Sequence, residues 1–373
     1  MSSVVENMQV QSCDVGSLPP KWNMKTFELG AKYALMEKPA IEEFIREAIE
    51  YFKDAVIESL IDKIKAGIEI PVYPQFRDMN EMFLNAISGI EKIEGRYYET
   101  ETLSVKDGRI PEVSTIFERE KEVYELLGEK LKLKVCITGP HTLSFLFAYR
   151  DSEIFSRLAD MLLRFVEDNV LKSKYCEVHM VALDEPTFGT VDDPLVDVGS
   201  EGRENLLMAW ERIFERVRGL GAETAIHLHS TSDPLFWEVK NLEIVESHVE
   251  DQIYKSKHAK ERLKETGKVL RASICLTDYD ILIKRSLPKE LKNSQVAEKI
   301  GEIWSKIRRG QLNPESFLES VDLIRKRLKT IIEFFGGDLV PYAGPECGLR
   351  GFPTYDCAIE CLRRISSAVK SIC

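Results

Sequence analysis

The stretch Val178-His-Met-Val-Ala-Leu-Asp-Glu-Pro186 decides the fold, because a largely apolar run ends abruptly in two carboxylates and a proline. Such a run is typical of a strand that is covered on both faces, as the strands of a parallel sheet are. Several other short runs share this character. The eight predicted strands are Cys13–Ser17, Glu69–Tyr73, Lys134–Thr138, Val178–Leu183, Glu223–Leu228, Glu243–Val249, Val269–Leu276 and Asp338–Tyr342.

Long amphipathic patterns alternate with these strands, since apolar residues recur at spacings of three and four. The predicted helices include Ile41–Ala66, Asp151–Lys172, Gly202–Gly219, Pro314–Phe335 and Tyr355–Ile372. Strands that alternate with helices in this way predict an α/β fold, a (β/α)8 TIM barrel that comprises residues 1–373 as a single domain. An open doubly wound sheet is the alternative, but no Gly-x-Gly-x-x-Gly follows the first strand to support its dinucleotide-binding form.

Two segments exceed what a plain barrel needs. Arg96–Ser114 is rich in Tyr and Thr and then reaches Lys106-Asp107-Gly108, which predicts an inserted β-hairpin before the third strand. The segment Asp280–Gln311 predicts a helical insertion after the seventh strand.

The composition restricts the class of protein. The 373 residues include 51 Lys and Arg against 62 Asp and Glu, a net charge of −11. An acidic surface argues against a nucleic acid or an anionic membrane as the main partner. No apolar run reaches the roughly 18 residues of a membrane span, and Met1–Gln11 lacks the layout of a signal peptide. The cysteines form no Cys-x-x-Cys pair, so we expect reduced thiols in a cytoplasmic protein.

Histidines near two strand ends are candidate metal ligands, because the reactive groups of such barrels lie at the carboxyl ends of strands. His227 and His229 lie two residues apart on the fifth strand, so their side chains share a face and suit a metal. An isolated pair of this kind is more often only hydrogen-bonded. Glu246 on the sixth strand alternates with apolar neighbours, and a buried carboxylate is costly unless it is paired or bound to a metal. His248 shares its face, and a supporting or surface role is favoured for it.

Cys347 lies in the loop Gly344–Gly351, where glycines and a proline predict close backbone approach. Four other cysteines are expected to pack in the core: Cys136, Cys275, Cys357 and Cys361. The ends of strands five, six and eight would bring two histidines, a glutamate and a cysteine to one rim. This set, His227, His229, Glu246 and Cys347, predicts a zinc site with nitrogen, oxygen and sulfur ligands.

Other strand ends offer groups for a substrate. Asp184 and Glu185 end the fourth strand and suit the binding of an ammonium group or general acid–base work, with helix capping and solvation as the alternative. Ser17 ends the first strand, where its hydroxyl and free amides could hold a carboxylate. His141 follows the third strand in a Gly-Pro turn, and a local hydrogen bond is favoured for it.

Six short motifs lie at or near the predicted strand ends and span nearly the whole chain. They are Val15–Pro19, Thr138–Thr142, Leu183–Pro186, Ile226–His229, Val245–Ser247 and Pro345–Leu349. In these motifs and in their order, the chain resembles the catalytic domain of cobalamin-independent methionine synthase. That family lies within the barrel superfamily that includes uroporphyrinogen decarboxylase and the corrinoid-linked thiol methyltransferases.

The resemblance implies a zinc ion that activates homocysteine for attack on a methyl group. The family holds this zinc with His, Cys, Glu and Cys. His227, Glu246 and Cys347 match three of these ligands, whereas His229 stands in place of the family's first cysteine. Zinc accepts imidazole readily, so a metal is still expected.

The resemblance also implies how the amino acid is held. Asp184 would bind the amino group of homocysteine, and Ser17 with nearby amides would bind its carboxylate. The family places a further carboxylate near Tyr73, a role that Asp78 could take.

The methyl donor is inferred from length. The folate-dependent enzymes of the family carry an additional N-terminal half that is absent here, so the resemblance to the short members implies a methylated corrinoid protein as donor and partner. Two alternatives stay open. One is a decarboxylase of the same superfamily, although Cys13–Lys21 lacks the arginines that several substrate carboxylates would need. The other is a non-catalytic metal- or thiol-binding partner of a corrinoid protein.

Overall fold

A computed structural model describes residues 10–36 and 42–372 and places a parallel β-sheet at the centre of the protein. The strands, numbered in chain order, are β1 (Gln11–Ser12), β2 (Ile87–Ile93), β3 (Arg96–Val105), β4 (Leu131–Thr138), β5 (Cys176–Glu185), β6 (Glu223–Leu228), β7 (Ile244–Glu246), β8 (Val269–Cys275) and β9 (Tyr342–Pro345). Within the described residues the sheet has seven strands in the order β1-β9-β8-β7-β6-β5-β4, and every neighbouring pair is parallel. The predicted parallel α/β fold is confirmed.

Helices pack against the strands and complete the core. In the described part of the chain they are α1 (Met24–Tyr33), α2 (Glu43–Lys65), α3 (Glu81–Leu84), α4 (Pro111–Glu118), α5 (Glu120–Leu127), α6 (Pro140–Ser144), α7 (Ile154–Asn169), α8 (Glu201–Gly219), α9 (Lys257–Thr266), α10 (Tyr279–Ser286), α11 (Asn293–Arg308), α12 (Val321–Phe335) and α13 (Tyr355–Lys370). Helix α8 packs on β6, α12 on β8, and α13 on β1 and β9. The four cysteines expected in the core are buried.

Two expectations about the helices have different outcomes. The predicted helical insertion is confirmed as α10 and α11, whereas Ile41, the first residue of a predicted helix, lies outside the described residues.

Of the helices that the structure describes, none is both long and apolar enough to cross a membrane. The cytoplasmic location stays a prediction.

Strand β5 shows why the apolar runs form strands. Each residue from Met180 to Glu185 is buried, and β4 and β6 pair with the strand on its two sides. A strand in this position requires apolar side chains. The two carboxylates at its end therefore need specific partners or a cavity.

Residues 70–75 lie between the two edges of the sheet. They make isolated parallel bridges with the β1 side and with β4. The three bridges are Cys13–Ile70, Ser17–Gln75 and Val72–Lys134. The predicted strand Glu69–Tyr73 is therefore a series of single bridges and not a regular strand. Pro71 and Pro74 explain the difference, because proline has no amide hydrogen to donate to a neighbouring strand.

The predicted hairpin exists, but its bounds were wrong. It consists of β2 and β3, and Glu94 and Gly95 form its turn with φ angles of 49° and 83°. Two consecutive residues with positive φ are typical of the tight type I′ hairpin turn. The segment Arg96–Ser114 contains only the second strand of the hairpin. Its Lys106-Asp107-Gly108 signal belongs to a loop that leads into α4.

Two further boundaries differ from the prediction. Pro314–Phe317 is a single 3-10 turn, and α12 begins only after Ser320, whose side chain caps it. The predicted strand Asp338–Tyr342 is displaced along the chain, because Gly337–Leu339 forms another 3-10 turn and β9 begins at Tyr342. This displacement brings the end of β9 directly to the predicted cysteine loop.

Candidate metal and substrate site

Four side chains that can ligate a metal meet at the carboxyl edge of the sheet. His227 lies in β6 and His229 directly follows it, while His248 follows β7 and Cys347 follows β9. One ligand atom of each lies within 4.8 Å of the other three. Cys347 Sγ is 3.7 Å from His229 Nε2, and the centroids of the His229 and His248 rings are 4.0 Å apart. We call these four residues the imidazole–thiol cluster.

Burial keeps the imidazoles of this cluster neutral. It lowers the pKa of His229 to about 3 and that of His248 to about 4, and the neighbouring His227 adds to both effects. Burial also lowers the pKa of His227. It raises the pKa of the Cys347 thiol to about 11, so a metal would have to displace a proton there at neutral pH. Neutral imidazole and thiolate are the forms in which these side chains bind zinc.

The imidazole–thiol cluster contains buried nitrogens without hydrogen bonds. Among the described residues, neither ring nitrogen of His227 nor the Nε2 of His248 has a partner. Buried polar atoms are nearly always paired, so their concentration here needs an explanation. Tetrahedral zinc bonds of about 2.0–2.3 Å would separate ligand atoms by roughly 3.3–3.8 Å, a small contraction of this cluster. The cluster could therefore hold a metal ion.

Glu246, the remaining ligand expected from the sequence, lies beside the cluster at the end of β7 and is fully buried. Its Oε1 forms an ion pair with Lys134 of β4, which is also fully buried. Its Oε2 is 3.8 Å from Arg271 Nε and 3.6 Å from His227 Nδ1. Although burial alone would raise the pKa of Glu246, the two cations hold it well below its usual range. Glu246 is therefore an anion beside two buried cations, and its Oε2 has no hydrogen-bond partner among the described residues.

A cavity of about 380 Å³ extends from the cluster to Asp184. His227, His229 and Cys347 line one part of it. Asp184 is 7% exposed, its Oδ1 has no hydrogen-bond partner among the described residues, and burial raises its pKa to about 8. A buried carboxylate without a partner suits the ammonium group of a ligand, since a charge-assisted hydrogen bond would offset the cost of burial. We call this space the Asp184 cavity.

Ser17 and Asp78 also line the Asp184 cavity. Ser17 contacts the loop after β9, because its carbonyl accepts a 2.8 Å hydrogen bond from the Leu349 amide. A Cβ added at Gly348 would lie 1.9 Å from Ser17 Oγ, so a side chain there would force this hydroxyl to move. Asp78 is exposed, and its Oδ1 accepts hydrogen bonds from the amides two and three residues later. One oxygen of Asp78 is thus committed to a local turn.

Two other residues from the sequence analysis have structural partners. Glu185 accepts hydrogen bonds from Trp210 Nε1 at 2.9 Å and from the His141 amide at 3.0 Å. The ring of His141 contacts Thr187 Oγ1 at 2.8 Å and Asp193 Oδ2 at 3.1 Å. The local hydrogen bonding expected for His141 is confirmed, and Glu185 fixes the loop after β4.

A second cavity, of about 660 Å³, meets the Asp184 cavity at His229, Cys347 and Gly348. Its wall includes Tyr279 of α10 and Trp304 of α11, so the helical insertion forms part of it. The imidazole–thiol cluster therefore borders both cavities.

Two curated proteins are similar to this chain in sequence. The chain is 23% identical over 351 residues to a methionine synthase from Sulfolobus acidocaldarius, which covers 91% of this chain and 85% of the relative. It is 25% identical over 243 residues to a methionine synthase from Saccharolobus solfataricus, over 61% of this chain and 65% of the relative. The predicted resemblance to methionine synthases is confirmed. No family model matches the chain.

Two solved structures share the fold of this chain. A B12-independent methionine synthase from Shewanella in complex with selenomethionine has a TM-score of 0.64 and 17% identity, and the match covers 98% of both chains. A putative B12-independent methionine synthase from Listeria monocytogenes has a TM-score of 0.55 and 15% identity, with 96% of both chains covered.

Three residues of the site were missed or given other roles by the sequence analysis. His248 was expected to have a supporting role, but it belongs to the cluster; its shared strand face with Glu246 was the available signal. Lys134 was taken only as the start of a strand, although a charge in a buried strand requires a partner. Arg350 lines the Asp184 cavity as an exposed cation next to the cysteine loop, and no role was predicted for it.

Proposed function

We propose that the protein is a zinc-dependent methyltransferase that transfers a methyl group to the thiol of homocysteine and so forms methionine. The observation that carries this proposal is the imidazole–thiol cluster, which borders a cavity containing an unpaired buried carboxylate. The relatives named methionine synthase support the same substrate. The structural neighbour from Shewanella is in complex with selenomethionine, an analogue of the proposed product.

We also propose that the sheet closes into a complete (β/α)8 barrel that forms a single domain of residues 1–373. Residues 70–75 would be the eighth strand, and their bridges to the β1 side and to β4 support the closure. Closure matters for the function, because it would place Ser17 and Asp184 on opposite sides of one enclosed rim.

Three residues are common to the predicted ligand set and to the observed cluster: His227, His229 and Cys347. These would hold the metal, while the ligand role of Glu246 implied by the resemblance stays a prediction. Zinc, when bound, supplies a Lewis acid that lowers the pKa of a thiol from about 8.5 and makes thiolate available at neutral pH.

The Asp184 cavity would orient the amino acid. Asp184 would accept the α-ammonium group, which supplies the positive partner that this carboxylate lacks. The α-carboxylate would lie near the Ser17 hydroxyl and the Arg350 guanidinium, and Asp78 would contribute a further polar contact. The thiol of the side chain would then extend toward His227 and Cys347, where the cavity meets the cluster.

For the donor we propose a methylated corrinoid protein over a methyl-folate polyglutamate. A net charge of −11 disfavours a long polyanionic tail, although the basic segment Lys284–Arg309 offsets this field locally. The structural neighbours are B12-independent enzymes by name, so the donor requires a direct test. Methylcobalamin and methyl-folate should be offered separately with homocysteine. Faster turnover with the folate would overturn this choice of donor.

The test of the whole proposal measures bound zinc and methionine formation in the wild type and in Cys347→Ala. Cys176→Ala is the matched control, because Cys176 begins β5 at the opposite end from the site. We expect about one zinc per chain and turnover in the wild type and the control, and loss of both in Cys347→Ala. Bound zinc without turnover with either donor would favour the non-catalytic alternative. Turnover without zinc would overturn the metal assignment.

A further inference from the structure

We propose that the second cavity binds small organic cations, and that a sulfonium compound serves there as a methyl donor in addition to the corrinoid donor proposed above. This further activity rests on the proposed thiol methyltransferase. Neither the names of the relatives nor the family resemblance assigns a ligand to this cavity. Three features of its wall point to a cation: its charge, its aromatic surface and its position beside the imidazole–thiol cluster.

Exposed carboxylates dominate the charge of the second cavity. Glu250, Asp278 and Asp280 lie in its wall, whereas Arg285 is the sole Lys or Arg among the described residues that line it. Arg285 already faces two carboxylates, since its Nη2 is 3.2 Å from Glu250 Oε1 and its Nη1 is 3.4 Å from Glu319 Oε1. The wall therefore has a net negative charge, which attracts a cation and repels an anion.

An aromatic surface lies beside these carboxylates. Tyr279 and Trp304 both line the cavity, and their ring centroids are 5.2 Å apart. The Tyr279 hydroxyl donates a 2.7 Å hydrogen bond to the carbonyl of Pro314, and Trp304 Nε1 donates one of 2.6 Å to Asp280 Oδ1. Because their polar atoms are occupied, the two side chains offer carbon and π surface to a ligand. Aromatic faces recognise quaternary ammonium groups, and a sulfonium presents a similar positive charge surrounded by carbon.

The second cavity also reaches the proposed site of the reacting sulfur. His229, His248 and Cys347 contribute to its wall, and it meets the Asp184 cavity at the first and last of these residues. Its volume of about 660 Å³ lies within the range of cavities that hold small-molecule ligands. A cation bound here would therefore be a direct neighbour of an acceptor whose sulfur lies at the cluster.

Methyl transfer from a sulfonium needs no further reactant. The acceptor thiolate attacks the methyl carbon, so that a new sulfur–carbon bond forms while the bond from that carbon to the sulfonium sulfur breaks. The leaving sulfur keeps the electron pair and departs as a neutral thioether. One anion and one cation thus become two neutral thioethers. A quaternary ammonium would bind in the same way, but its leaving group is a more basic amine, so we expect it to transfer its methyl group poorly.

The first experiment measures binding to the wild-type protein by calorimetric titration. Trimethylsulfonium and tetramethylammonium are the cationic probes, and tert-butanol is a neutral analogue of similar shape. We expect both cations to bind at least about fivefold more tightly than the neutral analogue. Equal binding of the three probes would overturn the proposal.

Variants then locate the bound cation. Trp304→Leu should weaken trimethylsulfonium binding by roughly 3–30-fold, because it removes the aromatic face. Asp278→Asn should weaken it by roughly twofold to fivefold, since the charge is exposed, and asparagine can still cap α10 through the Ile281 amide. Trp22→Leu is the matched control, because Trp22 packs on Tyr51 outside the cavity and should leave the affinity unchanged. Unchanged binding in Trp304→Leu would overturn the assignment to this cavity.

The last experiment measures transfer by the zinc-loaded wild type. Homocysteine is offered with trimethylsulfonium, S-methylmethionine or S-adenosylmethionine, each with a deuterated methyl group, and the label is measured in methionine. We expect labelled methionine from at least one sulfonium and little or none from deuterated tetramethylammonium. Methionine from methylcobalamin but from no sulfonium would overturn this inference and leave the proposed function intact. No methionine from any donor, methylcobalamin and methyl-folate included, would overturn both.

Discussion

Two buried carboxylates, at the ends of the strands on either side of β6, have different surroundings. Asp184 of β5 has an unpaired oxygen that borders a cavity, and burial raises its pKa to about 8. Glu246 of β7 lies between Lys134 and Arg271, which hold its pKa low despite complete burial. Both have an oxygen without a hydrogen-bond partner among the described residues, but only Glu246 has cations beside it. The absence of an internal cation, and not burial alone, therefore supports Asp184 as the proposed binding residue.

Breaking the ion pair between Glu246 and Lys134 should have the largest effect of the changes considered, a loss of folding stability. Removing one partner of a buried ion pair costs about 3–5 kcal/mol, so Lys134→Met should lower the free energy of unfolding by about that amount. Urea denaturation measures this change. Asp184→Asn is the control, because it removes a carboxylate without an internal partner and should change the free energy by less than about 1 kcal/mol. An equal loss of unfolding free energy in both variants would contradict the difference between Glu246 and Asp184.

Removing the unpaired carboxylate should instead weaken ligand binding. Hydrogen bonds to charged groups contribute about 1.5–3 kcal/mol, so Asp184→Asn should weaken methionine binding by roughly 10–150-fold. Calorimetric titration with methionine measures the affinity. Zinc content should be unchanged, since Asp184 is outside the cluster. Loss of zinc together with methionine binding would assign Asp184 to the metal and not to the substrate.

The raised pKa of Asp184 predicts a pH dependence of methionine binding. In the free protein this pKa is about 8, and an ammonium partner would lower it in the complex, so binding expels a proton at pH 6–7. Affinity should therefore rise by up to about tenfold per pH unit between pH 6 and 8 and level off above that. The same titration in Asp184→Asn should show a much flatter profile. A flat profile in the wild type would contradict the assignment.

Asp78 is an exposed carboxylate in the same cavity and provides a second comparison with Asp184. One of its oxygens already accepts two backbone hydrogen bonds, and solvent screens the other. Contacts of exposed charges contribute about 0–1 kcal/mol, so Asp78→Asn should weaken methionine binding by less than about fivefold. An effect as large as that of Asp184→Asn would show that exposure does not separate the two residues.

Much of the fold followed from local patterns. The apolar run ending at Asp184 predicted a central strand, and the two-residue spacing of His227 and His229 predicted their shared surroundings. Both inferences need only the periodicity of a strand. The irregular segment at residues 70–75 was less predictable, because Pro71 and Pro74 interrupt the ladder while tertiary contacts keep the chain in place.

The missed parts of the site depend on contacts between distant segments. The role of Lys134 depends on Glu246, more than 100 residues later in the chain, with which it is paired across the sheet. His248 joins the cluster because Glu346 and His229 lie beside it. Local sequence marks both residues as unusual, but it does not name their partners. Composition and spacing can name candidate ligands, but only the three-dimensional arrangement shows which candidates already have partners.

The two cavities that meet at His229, Cys347 and Gly348 have a consequence for the order of events in catalysis. On the proposed function, the acceptor would take the Asp184 cavity and the methyl-bearing group of the donor would approach through the second cavity, so that both could be bound at the same time. A ternary complex, and not a methylated enzyme that outlives its donor, would then be the species that reacts. Initial-rate lines measured at several fixed concentrations of one substrate would intersect and would not run parallel.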